Sequence, residues 1–487
     1  MKVLSVFVPL LTSIFFINCQ LARASHPESA EISLQVEGAS STWVYLQGVH
    51  KNVKSKVDST WLDTEGKGFF KYDTPLDQGY YELILSEDVS LPLLLDQDQT
   101  FSLKTNMEQL VRNMEVEGST ENALLYSSLQ LDFDLQDRFQ AEVLEIQQRG
   151  EQQLAQHLVD QLREKYFAEK AAFLENIFRQ YPDALFTRYE KARQDPPNLY
   201  PILADQDLDP AAKNARVLTA FWDQVDFGDE RLLHTPVIFD KLWQYFNQFV
   251  PDQTDIKIQA ADVLMKKVMD QPAYYEFFAT WLTDDYLPPI TGQMDPDALY
   301  VHMVDNYLTE EYAPWADSLK IYAWQLRAKD RSVNLIGKKG ADFSAKTPEG
   351  TIQSLDDVKT PYVALFFYHY DCDHCIETAP KLAKQYPALK EQGLEIIAVA
   401  MDTPEEEWKN FIRDHGMNCL NVTDQDNEAI YDHYNVWATP EIMLLNPDRT
   451  IIGKHLSVED ISMVMEADRA GMFQKENGSS ASKRGVQ

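Results

Sequence analysis

Two cysteines set two residues apart constrain this chain more than any other stretch: Tyr370-Asp371-Cys372-Asp373-His374-Cys375. An apolar run, Val363-Ala-Leu-Phe-Phe-Tyr368, precedes them and reads as a buried strand, and a helical pattern follows from Ile376 to Lys390. A Cys-x-x-Cys pair at a strand-to-helix turn is the arrangement that dithiol redox chemistry needs. The first sulfur falls near the helix N-terminus, where unpaired backbone N–H groups and the helix dipole favour a thiolate. The second lies one turn further on, close enough to attack a mixed disulfide. The same pair is also half of a zinc site, and an inert pair is a third reading. A zinc site needs a second pair of suitably spaced ligands, whereas only Cys419 and scattered histidines remain.

At 487 residues the chain is long for one core, and about three domains are expected. The apolar share of 44% and the aromatic share of 11% are those of folded protein. A net charge of −33 repels nucleic acid and anionic lipid, so neither is an expected partner. Four cysteines, Cys19, Cys372, Cys375 and Cys419, do not make a disulfide scaffold.

The N-terminus reads as a signal peptide over residues 1–24. Lys2 gives a minimal positive start, Val3 to Ile17 is apolar but short for a membrane span, and Ala22-Arg23-Ala24 offers a cleavage site before Ser25. Cys19 competes as a lipidation site: the run Phe16-Ile-Asn-Cys19 loosely resembles a bacterial lipoprotein signal, although Asn18 is larger than the residue usual there. Both readings place the protein outside the cytoplasm, in the periplasm or cell envelope, with a lipid anchor as the only tie to the membrane.

Residues 25–118 read as β structure. Ile32, Leu34 and Val36 alternate with polar residues, and further strands are expected at Thr42–Leu46, Gly68–Tyr72, Tyr80–Leu85, Leu91–Leu95 and Thr100–Leu103. Turns such as Asp77-Gln-Gly79 separate them, which predicts a small antiparallel sandwich. Residues 119–330 read as an α-helical domain. Leu135, Phe139, Val143 and Ile146 share a helix face, Gly150 and Tyr181-Pro182 break the pattern, and later helices are expected at 211–224, 237–249, 255–270, 273–282 and 297–307. The many aromatics there, Trp222, Trp243 and Trp281 among them, read better as helix core than as a binding groove. Residues 335–470 alternate strands with helices and end on a hairpin, predicting a mixed sheet flanked by helices, and residues 471–487 read as a disordered tail.

The Cys372/Cys375 turn, the lead-in Gly340-Ala-Asp-Phe343, and Trp437-Ala-Thr439-Pro440 before an apolar strand together resemble the TlpA/ResA branch of thioredoxin-fold thiol:disulfide oxidoreductases. Asp58-Ser59 with Gly66-Lys-Gly-Phe69 resembles a β-rich domain often joined to such domains, and Leu233-His-Thr-Pro236 through Phe249 resembles the helical domain found between the two. The resemblance implies that Cys372 is the attacking thiolate and Cys375 the buried resolving thiol. It implies that Asp373 and His374 tune the redox poise, and that Thr439-Pro440 is the cis-proline site pairing with substrate backbone. It implies protein disulfides as substrates, a thiol electron donor and no cofactor. A protonated His374 would stabilise the Cys372 thiolate and an ionised Asp373 would oppose it, so the redox direction stays open.

The chain departs from that branch at Asp371, where tryptophan is usual, and at Thr378, where a glutamate is common; Asp371 and Glu377 are the nearest acid/base candidates. Two rivals stand beside this reading. A peroxiredoxin-like peroxidase would need proline at 365 and threonine at 369, where the chain has Leu365 and His369. A non-catalytic envelope binding protein would keep the dithiol as a vestige.

Overall fold

A computed structural model describes residues 29–148, 152–288, 294–425, 430, 433–436 and 438–471. The expected signal peptide, Cys19, Gly150, Trp437, most of the residues between 426 and 432, and the expected tail from 472 lie outside the described residues. Two compact units divide the chain: residues up to Glu190 with Arg231–Pro236, and Lys191–Glu230 with Val237 onward.

In the first unit eight strands form two four-stranded sheets. They are β1 (Ala30–Glu37), β2 (Thr42–His50), β3 (Val53–Leu62), β4 (Lys67–Tyr72), β5 (Gly79–Ser86), β6 (Val89–Leu95), β7 (Thr100–Asn106) and β8 (Glu115–Glu117). The sheet orders are β4-β1-β7-β8 and β3-β2-β5-β6. Alternation does what period two requires: Ile32, Leu34 and Val36 of β1 meet Leu83 and Leu93 from the other sheet in one core. The expectation of a purely antiparallel arrangement fails at one pair, because β1 and β7 run parallel from Glu31 beside Thr100 to Glu37 beside Asn106. The chain leaves for the other sheet and returns along β1 in the same direction. Apolar alternation reports the buried face of a strand and carries no information about its neighbour's direction. Strand β3 was also unforeseen, since its mostly exposed polar residues lack an apolar period. Gly66 closes the turn before β4 at φ +73°, where an added Cβ would meet the Val36 carbonyl oxygen at 2.1 Å.

Two long helices, α1 (Thr120–Gln148) and α2 (Gln152–Gln180), follow, with α3 (Leu185–Arg193) after Pro182. Leu135, Leu162 and Tyr166 are buried between α1 and α2. The Asn122 side chain ties α1 to β6 through two bonds of 2.9 Å to the Leu94 backbone. Glu121 accepts from the N–H groups of Leu185 (3.1 Å) and Phe186 (2.7 Å) at the start of α3. Burial dominates over those two bonds and pushes the Glu121 carboxyl up to about 7.

The second unit begins with α4 (Leu199–Ala204), α5 (Pro210–Ala220), α6 (Val237–Gln244), α7 (Thr254–Lys267), α8 (Pro272–Thr280), α9 (Pro296–Tyr307) and α10 (Ser318–Arg331). Two of the expected helices end in a π-helical turn, Tyr245–Phe249 after α6 and Trp281–Asp285 after α8. Phe221, Trp222, Tyr245, Phe246, Tyr274 and Phe278 are buried, and neighbouring rings meet edge-on or tilted. Trp243 stands apart from that core, 49% exposed.

The remainder of the second unit is a seven-stranded mixed sheet. Its strands are β9 (Ser344–Lys346), β10 (Ile352–Ser354), β11 (Tyr362–Tyr368), β12 (Leu394–Ala400), β13 (Leu420–Thr423), β14 (Glu441–Leu445) and β15 (Ile451–Gly453), in the order β10-β9-β13-β12-β11-β14-β15. Among the described residues its helices are α11 (Asp373–Glu391), α12 (Glu405–Asp414) and α13 (Asp460–Arg469). Central β11 pairs parallel with β12 and antiparallel with β14. Its even-numbered residues, Ala364, Phe366 and Tyr368, enter one core with α11 and α13. Its odd-numbered residues, Val363, Leu365 and Phe367, enter a second core on the opposite face. A strand covered on both faces must be apolar throughout, which is why β11 appears in the sequence as an unbroken run.

Candidate dithiol site

The site forms where β11 ends and α11 begins. The Cys372 N–H donates to the His369 carbonyl (3.3 Å), and the Asp371 N–H donates to His369 Nδ1 (3.2 Å), which turns the chain out of the sheet. Cys372 is the N-cap of α11, and its Sγ accepts from the Cys375 N–H at 3.2 Å. A sulfur in that position takes up one of the donors that a helix start leaves unpaired. The Cys372 thiol in turn donates to the Thr439 carbonyl at 3.2 Å. The Thr439–Pro440 peptide is cis.

The two cysteines, both free thiols, differ in their surroundings. Cys372 is half-buried, whereas Cys375 is fully buried. Burial, reinforced by the hydrogen bond with Cys372, pushes the Cys375 thiol up to about 12. The outer sulfur can therefore be reached by a partner, and the inner one keeps its proton until a charge or a leaving group appears beside it. Asp373 and His374 occupy the first turn of α11 and are exposed, as are Asp371 and Glu377. Cys419 packs against the core that contains Cys375, and burial pushes its thiol up to about 12 as well. Among the described residues no group of three or more His, Cys, Asp or Glu could hold a metal ion.

One cluster near this site escaped the sequence reading. Lys454, just after β15, is almost fully buried and reaches Asp297 (2.8 Å), Asp295 (3.4 Å) and Asn334 (3.2 Å). Glu441, the residue after Pro440, accepts from the His455 N–H at 2.7 Å and pairs with the His455 ring. Burial works against a charged His455 ring, but the Glu441 carboxylate more than offsets it and holds the imidazole above its usual range. The available signal was a pair of charged residues, Glu441 and Lys454, at the edges of apolar strands.

Residues 336–460 match the AhpC/TSA family. The thiol-disulfide oxidoreductase ResA of Bacillus subtilis is 31% identical over 116 residues, which are 24% of this chain and 64% of that protein. ResA of Halalkalibacterium halodurans is 31% identical over 137 residues, 28% of this chain and 77% of that protein. The chain thus spans less than two thirds of the first relative and more than two thirds of the second. Among solved structures, the thioredoxin domain of a thiol-disulfide oxidoreductase from Bacteroides vulgatus is 28% identical and covers 28% of this chain and 97% of its own, with a TM-score of 0.26.

Proposed function

The chain belongs to the TlpA/ResA-like thioredoxin-fold family through its C-terminal part, and we propose that it is a thiol:disulfide oxidoreductase that reduces protein disulfides in the cell envelope. The observation that carries this reading is the asymmetry of the dithiol. Cys372 caps a helix, half-exposed, with its thiol on the Thr439 carbonyl, while Cys375 is buried one turn below.

The Cys372 thiolate attacks one sulfur of a substrate disulfide. A new S–S bond joins Cys372 to that sulfur, and the second substrate sulfur leaves as a thiolate and takes a proton. Thr439 and Pro440 flank this mixed disulfide and offer backbone to the substrate chain. Cys375 then loses its proton and attacks Cys372 Sγ, so that the first substrate sulfur leaves as a thiol. The substrate gains two electrons and two protons, and the protein is left with a Cys372–Cys375 disulfide. A thiol electron donor must reduce that disulfide before the next cycle. Asp373 and His374 set the balance between the two forms by opposite charge effects on Cys372. No cofactor is required. Envelope location rests on the apolar N-terminal stretch from Val3 to Ile17, with Cys19 as an alternative anchor point. No described helix is long and apolar enough to cross a membrane.

The AhpC/TSA match favours a second reading, peroxide reduction, but Leu365 and His369 stand where that chemistry needs proline and threonine. Trapping separates the readings. The Cys375→Ser protein, incubated with a disulfide-bonded test protein, should accumulate a mixed disulfide through Cys372, visible as a mass adduct that dithiothreitol removes. The Cys372→Ser protein should accumulate none. If Cys375→Ser traps nothing but consumes peroxide, the exchange reading fails.

A further inference from the structure

A groove of about 890 Å³ lies on the outer face of the sheet β4-β1-β7-β8 in the first unit. Period two puts Glu31, Ser33 and Gln35 of β1 on that face, and the strand registers set their neighbours in rows. One row runs Phe69, Ser33, Ser102, Glu117 from β4 to β8: an aromatic ring, two hydroxyls, then a carboxylate. The next runs Lys67, Gln35, Lys104, Glu115. The short serines over β1 and β7, between larger residues on the edge strands, make the trough. At its aromatic end Trp61 joins Phe69 in the lining, and Trp43 meets the Trp61 ring edge-on at 5.4 Å. All three rings are exposed, and large rings left in water beside a groove mark a binding surface.

The build of this face argues against three kinds of occupant. The strands under the floor, β1 and β7, are hydrogen-bonded on both sides, so an added peptide strand finds no free backbone there to pair with. A second copy stacking sheet on sheet needs an apolar face, whereas this floor is Ser33, Gln35 and Ser102. A charged polymer needs charge of one sign, whereas the charges around the groove are paired. Lys71 meets Glu31 at 2.7 Å, Lys104 meets Glu115 at 3.6 Å, and Lys67 meets Glu65 at 2.6 Å.

A neutral chain of sugars meets each condition. One face of a sugar ring is made of C–H groups, which rest on the electron-rich face of an aromatic side chain. Its edge carries hydroxyls, each both donor and acceptor, which match serine hydroxyls, a glutamine amide and paired carboxylates and ammonium groups. Four strands about 4.8 Å apart make a trough about 14 Å across, room for several sugar units. We infer that the outer face of this sheet binds a neutral oligosaccharide, with Phe69 and Trp61 as stacking platforms and Ser33, Gln35 and Ser102 as the hydrogen-bonding floor. The inference goes beyond the exchange function proposed above and does not depend on it.

The test titrates the full chain by calorimetry with cellohexaose, maltohexaose, mannohexaose and chitohexaose, all neutral, and with hexagalacturonate as their anionic counterpart. At least one neutral sugar should bind with a Kd in the micromolar to millimolar range, and more tightly than hexagalacturonate. Phe69→Ala should weaken that binding about tenfold, the size of one lost stacking contact. Ser102→Gln fills the floor at a half-buried position and should weaken it by a similar factor. Both substitutions lie on the outer face, and an unchanged melting temperature checks that the fold is kept. Trp243→Ala, which removes an exposed indole of the second unit, should leave the affinity as it was. No binding of any of the four sugars, equal affinity in both groove variants and the wild type, or tighter binding of hexagalacturonate would overturn the groove. So would a wild-type dimer in sedimentation that Phe69→Ala dissociates, because a second copy would then be the occupant. None of these outcomes bears on the dithiol, whose own trapping test stands apart.

Discussion

Strands β1 and β11 are each central to a sheet, yet they meet solvent differently. In β1 buried residues alternate with partly exposed ones, whereas all seven residues of β11 are buried. The sheets of the first unit keep one face toward solvent, and that face carries Trp43 and Trp61, paired across β2 and β3, and Phe69 on β4. The sheet around β11 is covered on both faces. Such a sheet can present chemistry only at the ends of its strands, and the dithiol lies at the C-terminal end of β11, where ligands of open α/β sheets usually bind. A doubly covered strand therefore marks where to look for a site, and a singly covered one does not.

The comparison breaks most sharply at the sulfurs. Cys372→Ser should lower exchange by roughly a thousandfold or more, as expected when a nucleophile is removed. Trp61→Ala, in the first unit, should leave the rate unchanged in the same insulin-reduction assay. An equal loss in both would mean that the β sheets take part in the chemistry.

Buried charge gives the next effect. Lys454→Ala should destabilise the second unit by about 3–5 kcal/mol, because Asp295, fully buried, loses its cation. Surface pairs of the first unit offer the contrast: Lys71→Ala, whose partner Glu31 is also exposed, should leave stability almost unchanged. Urea unfolding of each variant gives both numbers.

Packing sharpens the same contrast. Leu365→Ala in β11 should cost about 2–5 kcal/mol, against about 0.5 kcal/mol or less for Phe69→Ser, whose ring is 60% exposed. Similar values would show that the outer face of the first unit is covered in solution.

The smallest expected effect is the pH dependence, and it differs between the units. Glu121 has a folded value of about 7, above its ordinary 4.5, so its contribution is full below pH 4.5 and is lost as pH rises through 7. His455 is also raised, from 6.5, so its contribution is full below that value and is lost only at higher pH, as the ring deprotonates. Melting temperature against pH should therefore fall by a few degrees between pH 4.5 and 7 in a way that Glu121→Gln removes. The fall above pH 6.5 that persists in Glu121→Gln should disappear with His455→Asn.

Legibility followed locality. The β11 run, the Cys372/Cys375 turn and Thr439-Pro440 could be recognised because each is a short pattern whose residue types report their own surroundings. The parallel β1–β7 pair was hidden, since pairing direction depends on the path of the chain between the strands. Strand β3 was hidden because its residues are mostly exposed, and it is held by its ladder with β2. Lys454 and Asp295 are 159 residues apart, and no local period links them.

The most direct test of the central claim is a thiol-trapping titration of the protein in glutathione and dithiothreitol buffers, with the Cys372, Cys375 and Cys419 peptides followed by mass spectrometry. The account predicts one reversible two-electron transition that converts Cys372 and Cys375 together into a disulfide, with a midpoint in the range of about −270 to −120 mV, while Cys419 stays a thiol throughout. No reversible Cys372–Cys375 disulfide at any poise, or a disulfide formed with Cys419 in its place, would contradict it.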